Sequence, residues 1–291
     1  IDAIESNKSM ATVIDLIDQF MEKGISKGSN VVAIGGGIIQ DITACACALF
    51  RRGLPFTYMA TTTLGQLDSC VGAKCAINTT RAKNVLGLFS APRKVLIPSF
   101  MISSMPGSDH RAGLSEMLRL CLTASQESLE TYLDYLPNIL DPKNIDSRIY
   151  KNALNLSLSI KKSVVEYDEY EKDIRRSMNY GHTFGHAIEK ISDFQIPHGL
   201  GVLLGMHMSN TFSLKEGIMN QSNYEYISKA IKATITGLNI DINFLNKIDP
   251  SIIIDQFKFD KKGDGKSVPL ILIKKPGEML FYKFNFDNKN E

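Results

Sequence analysis

The 291-residue chain has no tryptophan, and it uses cysteine and histidine only five times each. Five is an odd number of cysteines. The spacing of Cys45, Cys47, Cys70, Cys75 and Cys121 builds no disulfide framework in a chain this long. Cys45 and Cys47 lie in the apolar run TACACALF and read as small core residues, which fits a reducing cytoplasm. No charge-free apolar run approaches the roughly 18 residues of a membrane span, and no signal peptide is visible. An excess of one charge is also lacking: 33 Lys and Arg against 31 Asp and Glu leave a net charge of +2. The basic residues are scattered, without an arginine-rich arm or an aromatic–basic stripe. Composition therefore gives no pull toward nucleic acid or membrane.

What is present describes an ordinary globular protein, 44% hydrophobic and 22% charged. The length exceeds what one core usually serves, so two domains are expected. Met10, Val13, Ile14, Ile17, Phe20 and Met21 recur at helical spacing, with Gly24 as the stop. NVVAIGGG then reads as a buried strand, Val31 to Ile34, running into a glycine turn, with a helix over Ile38 to Arg52. Phe56 to Ala60 and Lys94 to Pro98 read as further strands. Strand and helix alternate, as in an α/β domain with a parallel sheet. After about Ser108 the strand signal fades. Leu114–Ala124, Ile149–Val165, Met178–Ile191, Leu200–Leu214 and Tyr224–Leu238 suit helices. Only the tail VPLILIKKPGEMLFYKF returns to strand character, turning at Pro-Gly. The expectation is an α/β domain over 1–108 and a mainly helical domain with a C-terminal hairpin over 109–291, with a binding cleft between them.

Three stretches carry chemistry. GGGIIQD (Gly35 to Asp41) places glycines where a strand meets a helix N-terminus, a geometry that admits phosphate to backbone N–H groups. It is not G-x-G-x-x-G, and a tight turn in any α/β protein reads the same way. The stretch from Ala60 to Gly87 reads as a polar loop rich in Thr, Lys and Asn, suited to phosphate oxygens or to solvent. Finally, RRSMNYGHTFGHAIEKISDFQIPHG concentrates His182, His186 and His198. On a helix His182 and His186 share a face, whereas His198 opens the next helix. Thr183 after His182 rules out the zincin protease motif. A catalytic zinc takes three protein ligands, so two histidines and a carboxylate are candidates, with one histidine left for proton transfer or phosphate contact. Hydrogen-bonded histidines with no metal are the plain alternative.

Read together, ESNKS, GGGIIQD, RRGLPF, TTTLGQLDSCVGAK, AKNVLGLF, RAGLSEMLR, KKSVVEYDEYEKDIR, NYGHTFGHAIE and IPHG resemble the sugar phosphate cyclase family, and within it the dehydroquinate synthases. They fall in family order over most of residues 5 to 200. The resemblance implies an NAD-binding Rossmann-like domain followed by a helical metal domain. It implies Zn2+ (or Co2+) held by Glu116, His182 and His198, with His186 facing the substrate phosphate. Asp68, Lys74, Lys161, Arg175 and Asn179 match catalytic positions. Asn84, Arg119, Lys261 and Lys262 match substrate-side positions, and Arg52 matches a phosphate-binding arginine contributed across a homodimer. NAD contacts carry over to Glu5, Lys8, Gly36, Gly37, Asp41, Thr61, Thr62 and Lys83.

The implied reaction converts 3-deoxy-D-arabino-heptulosonate 7-phosphate to 3-dehydroquinate and phosphate with no net redox change. Lys161 and Arg175 suit a substrate carboxylate. Three departures mark a divergent member: HGLG, with Leu200, for the usual HGEA; Arg119 for a lysine; and Gln40 for a glycine. The family also carries a front segment with opening strands before ESNKS. Since this chain begins at Ile1, the expectation is that Ile1 is not the start of the working enzyme and that the sheet has a raw edge. Competing expectations are a cyclase for another phosphorylated sugar, a metal-dependent polyol dehydrogenase, which would accumulate NADH, and a non-catalytic descendant without the site.

Overall fold

The computed structural model describes residues 1–80, 83–193, 195–238, 250–258 and 266–286. Helix α1 (Met10–Glu22) starts where Ser9 accepts a hydrogen bond from the Thr12 N–H. Strand β1 (Val31–Gly35) enters α2 (Gly37–Leu49) through the glycine turn. Strands β2 (Phe56–Ala60) and β5 (Lys94–Leu96) complete a parallel sheet in the order β1-β2-β5. Helix α2 buries Ile42 through Cys47, so both cysteines of the apolar run lie in the core, and all five cysteines are free and buried. The alternation read from the sequence is thus present, with β1 as an edge strand.

The stretch between β2 and β5 is more ordered than a loop. A π-helical turn over Gly65–Ser69 is followed by an antiparallel pair, β3 (Lys74–Ile77) with β4 (Leu86–Phe89), which packs on α2. The two strands are four residues each and contain Lys74, Ala76 and Gly87, so no period-two pattern marks them. Gly87 is needed for the pairing, since a Cβ there would lie 2.9 Å from the Cys75 carbonyl oxygen.

Among the described residues seven helices follow: α3 (Gly107–Ala124), α4 (Gln126–Ile139), α5 (Ser147–Tyr167), α6 (His182–Ile191), α7 (His198–Lys215), α8 (Gln221–Thr234) and α9 (Pro250–Lys258). The tail forms the expected hairpin, β6 (Ser267–Lys275) and β7 (Glu278–Asn285). Helix α3 starts at Gly107 instead of Leu114. Its residues from His110 to Leu122 are buried on every side, so no polar face marks its beginning. Its buried cations are matched by carbonyls: Arg111 donates to Leu140, Thr234 and Thr236, at and beyond the ends of α4 and α8. Residues Met178 to Ile191 are not one helix. A 3-10 turn over Ile174–Asn179 ends before Gly181, whose φ of 78° is left-handed, and α6 begins after it.

Glycines set how closely α3, α6 and α7 approach. A Cβ at Gly199 would overlap the Ala112 carbonyl oxygen of α3, and one at Gly205 would overlap the Gly181 carbonyl oxygen. A Cβ at Gly185 would lie 3.0 Å from the Gly201 carbonyl oxygen. Backbone therefore meets backbone at each crossing, and side chains at the starts of α6 and α7 point at the middle of α3.

Gly205→Ala is expected to destabilise the protein by about 1–3 kcal/mol through overpacking at this crossing. Gly28→Ala, where the nearest atom to an added Cβ is the Ser26 Oγ at 3.9 Å, should change stability by less than about 0.5 kcal/mol. Denaturant unfolding of the two variants checks both.

Candidate active site

A cavity of about 780 Å³ lies between the sheet and the helices, lined on one side by Gly36, Gly37 and Asp41 of α2 and on the other by His186 of α6 and His198 of α7. Behind His198, α3 presents Glu116 with 1% of its side chain exposed. Its Oε2 accepts from the Arg119 Nε at 2.5 Å, one turn on. Its Oε1 has no hydrogen-bond partner among the described residues. That oxygen lies 3.4 Å from the His198 Nε2 and 3.9 Å from the His182 Nε2. A buried carboxylate oxygen with no donor is costly unless a cation completes it.

The imidazoles are aimed to match. The His198 Nδ1 pairs with the Glu189 Oε1 at 2.8 Å, and the His182 Nδ1 with the Tyr180 carbonyl at 3.3 Å. Each leaves Nε2 facing Glu116. His186, one turn along α6, is exposed, and its ligand atom lies within 4.8 Å of those of His182 and His198. The donor set of one carboxylate and imidazole nitrogens suits Zn2+ or Co2+. The structure thus brings Glu116 and all three histidines together. Burial pulls the His198 pKa down, but Glu189 and Glu116 outweigh it and raise the value to about 9.

Beside this cluster, Arg119 is 3% exposed and spans two carboxylates. Besides Glu116 it donates to the Met178 carbonyl at 2.5 Å and to the Asp68 Oδ2 at 3.3 Å. Asp68 sits in the π-helical turn, and Lys161 of α5 reaches both its Oδ1 at 2.7 Å and its backbone carbonyl at 2.6 Å. Burial would raise the Asp68 pKa, but Lys161 and Arg119 prevail and hold it below the usual range. Arg175 is 2% exposed; its guanidinium donates to the Glu169 carbonyl and, at 2.7 Å, to the Gly72 carbonyl. Lys74 pairs with Glu171, which also accepts from the Asn179 Nδ2 at 2.5 Å. A second recess, lined by Glu171, Arg176, Asn179 and Thr183, adjoins this group.

On the sheet side, Gly36 and Gly37 open α2, and a Cβ at Gly36 would lie 2.8 Å from the Thr62 Cγ2. Thr62 lines the cavity and caps the Gly65 N–H, while the Thr61 N–H donates to the Gly35 carbonyl. Lys8 is buried, paired with Asp41 at 2.5 Å and with the Asn84 Oδ1 at 2.7 Å. Burial raises the Asp41 pKa against the pull of Lys8. Lys83 lies 3.6 Å from Glu5, and both line the cavity. Arg52 is exposed at a φ of 67° and is not among the cavity-lining residues. Lys261 and Lys262 lie outside the described residues.

Two residues of this site have no role in the sequence reading, and Gln40, noted there only as a departure, gains one. Glu189 and Glu171 make the contacts just given. Gln40 exchanges two hydrogen bonds with Ser69, to its carbonyl at 3.0 Å and from its hydroxyl at 3.1 Å, tying α2 to the Asp68 turn. Glu189 stands seven positions after His182 in the same helix and so on its face, which was the available signal.

Solved structures similar to this chain along most of its length include two sugar phosphate cyclases. One is 2-deoxy-scyllo-inosose synthase, complexed with carbaglucose-6-phosphate, NAD+ and Co2+ (TM-score 0.85, 25% identity, 97% of this chain and 78% of that one). Another is 2-epi-5-epi-valiolone synthase from Streptomyces hygroscopicus subsp. jinggangensis 5008, with NAD+ and Zn2+ bound (TM-score 0.84, 24% identity, 97% of this chain and 77% of that one). The class is thus that of the sugar phosphate cyclases. Models of the 3-dehydroquinate synthase N-terminal and C-terminal regions match residues 1–112 and 113–263. The 3-dehydroquinate synthase of Desulforamulus reducens is 34% identical over 284 residues, covering 97% of this chain and 77% of that protein. The chain belongs to the 3-dehydroquinate synthase family.

A divalent cation entering this cluster must displace the proton that Glu189 stabilises on His198. Because the His198 pKa is raised to about 9, the apparent affinity for Zn2+ should fall by about tenfold for each pH unit below that value, one proton leaving per ion bound. Chelator competition between pH 6 and pH 9 measures the slope.

Proposed function

We propose that this chain converts 3-deoxy-D-arabino-heptulosonate 7-phosphate to 3-dehydroquinate and phosphate, and that it does so as a homodimer in the cytoplasm. The observation that carries the reading is the Glu116 Oε1, buried without a donor and faced by the Nε2 atoms of His182 and His198. Glu116, His182 and His198 would hold Zn2+ or Co2+. The cleft beside α2 would hold NAD+, contacted by Glu5, Lys8, Gly36, Gly37, Asp41, Thr61, Thr62 and Lys83. When bound, the ion supplies Lewis-acid polarisation and the nucleotide reversible hydride acceptance.

The chain's own residues bind and orient the sugar. Two carbonyls use part of the Arg175 fork, leaving its remaining N–H groups, with Lys74, Lys161 and Asn179, for a substrate carboxylate. Asn84 and one of Lys261 and Lys262 would reach the phosphate side, and Arg52 would serve the second subunit of the dimer. Arg119 holds Glu116 and Asp68 in place beneath the sugar. His186, exposed on the cavity side of α6, is the imidazole placed to exchange a proton with the phosphate or its neighbouring carbon. The α/β part over 1–108 contributes the nucleotide side of the cleft and 109–291 the metal side.

Incubation with the heptulosonate phosphate, NAD+ and Zn2+ or Co2+ should release phosphate in step with a carbocyclic product, with no accumulation of NADH. NADH rising in proportion to product would overturn the cyclase reading in favour of a dehydrogenase. No phosphate release by metal-loaded protein would overturn the assigned substrate.

The histidines should separate by phenotype. His186→Ala should lower kcat by about 10²–10⁴-fold with metal content unchanged, whereas His182→Ala should lose the metal. Metal analysis alongside steady-state kinetics distinguishes them. A His186→Ala protein depleted of metal would move His186 into the ligand set.

A further inference from the structure

Glu189 is 6% exposed and stands on α6, yet its carboxylate is spent across the helix crossing, on the first residue of α7. The contact is 2.8 Å, from the Glu189 Oε1 to the His198 Nδ1. It leaves the His198 Nε2 directed at the Glu116 Oε1, 3.4 Å away. The His198 ring is therefore clamped at both nitrogens between two carboxylates from different helices. The space for this clamp comes from α7. A Cβ at Gly201 would lie 3.0 Å from the Glu189 Cγ and 3.4 Å from its Oε1. The neighbouring Leu200 is 2% exposed and has no polar group to offer.

We propose that Glu189 is a positioning residue for the metal pocket. It fixes the tautomer and the ring orientation of His198, and Gly201 is required because the space it leaves is the space Glu189 occupies. The inference rests on the metal reading above and adds the device that keeps His198 in register. A histidine that donates its Nδ1–H to a carboxylate presents a more basic Nε2 in a single orientation. Without that partner the exposed edge of the ring, 38% accessible, is free to rotate.

The test uses the full chain and reads metal binding directly, by Zn2+ affinity from chelator competition and by the visible d–d spectrum of the Co2+ form. Glu189→Ala should weaken Zn2+ binding by about 10–100-fold and alter the Co2+ bands. Glu189→Gln, whose amide oxygen still accepts from Nδ1 but carries no charge, should lose severalfold, up to about tenfold, and shift the Co2+ bands measurably but less than Glu189→Ala. Gly201→Ala should weaken binding in the wild-type background and do so less in Glu189→Ala, where the Glu189 atoms are gone and only the Gly185 carbonyl oxygen, 3.3 Å from an added Cβ, remains close. Thermal unfolding of the metal-free proteins identifies a variant that fails to fold, and in that case the spectrum of Glu189→Gln decides. Zn2+ affinity and Co2+ bands unchanged in Glu189→Ala, or in Glu189→Gln where Ala does not fold, would overturn the proposal while leaving the ligand assignment standing. An equal loss for Gly201→Ala in both backgrounds would overturn the role given to Gly201. Wild-type protein that takes up no metal, or keeps it in both Glu116→Ala and His182→Ala, would overturn the metal reading and this inference with it.

Discussion

The structure is organised around one costly element, a carboxylate buried in the middle of α3. Glu116 is 1% exposed, and among the described residues only Arg119 hydrogen-bonds it, through one of its two oxygens. Burying an ion is unfavourable by several kcal/mol unless its partners are well placed. The rest of the fold supplies those partners. Arg119 is held by the Met178 carbonyl and by Asp68, and Asp68 by Lys161 from α5. The chain of alternating charges crosses from α3 to the turn after β2 and on to α5, so elements far apart in sequence are fixed by the need to neutralise one another.

Close approach makes this possible. His182 and His198 could not both face Glu116 if α6 and α7 were separated by ordinary side chains. Gly181, Gly185, Gly199 and Gly205 remove those side chains at the crossings. Gly181 serves twice, through its left-handed φ and because a Cβ there would lie 2.5 Å from the Met206 Cγ. Packing and site are one problem here: a methyl group added at a crossing displaces ligands as well as helices.

Much of this was legible in the sequence. The short apolar runs place β1 and β2 nearly to the residue, although β1, expected to be buried, leaves Val32 and Ile34 exposed. The spacing of His182 and His186 and the start of a helix at His198 were also legible, because they depend on local geometry. What depends on distant contacts was not. The β3–β4 pair was read as a loop because Lys74 and Gly87 hide its periodicity. Helix α4 does not stand out in the sequence, since Pro137 sits inside it. The start of α3 was missed because a helix buried on all sides has no polar face to mark it. Glu189 was quoted within a motif but given no task, since its partner lies across a crossing that only the fold creates.

The pairing of Lys74 with Glu171, which also holds Asn179, gives the cleft a threshold. The cations that would greet an anionic guest are already occupied by the protein's own carboxylate. On the proposed reading, entry of a substrate anion at Lys74 would be an exchange of partners, its free energy the difference between two ion pairs instead of the whole of one. A neutral molecule of the same shape would have nothing to trade and would leave the internal pair intact.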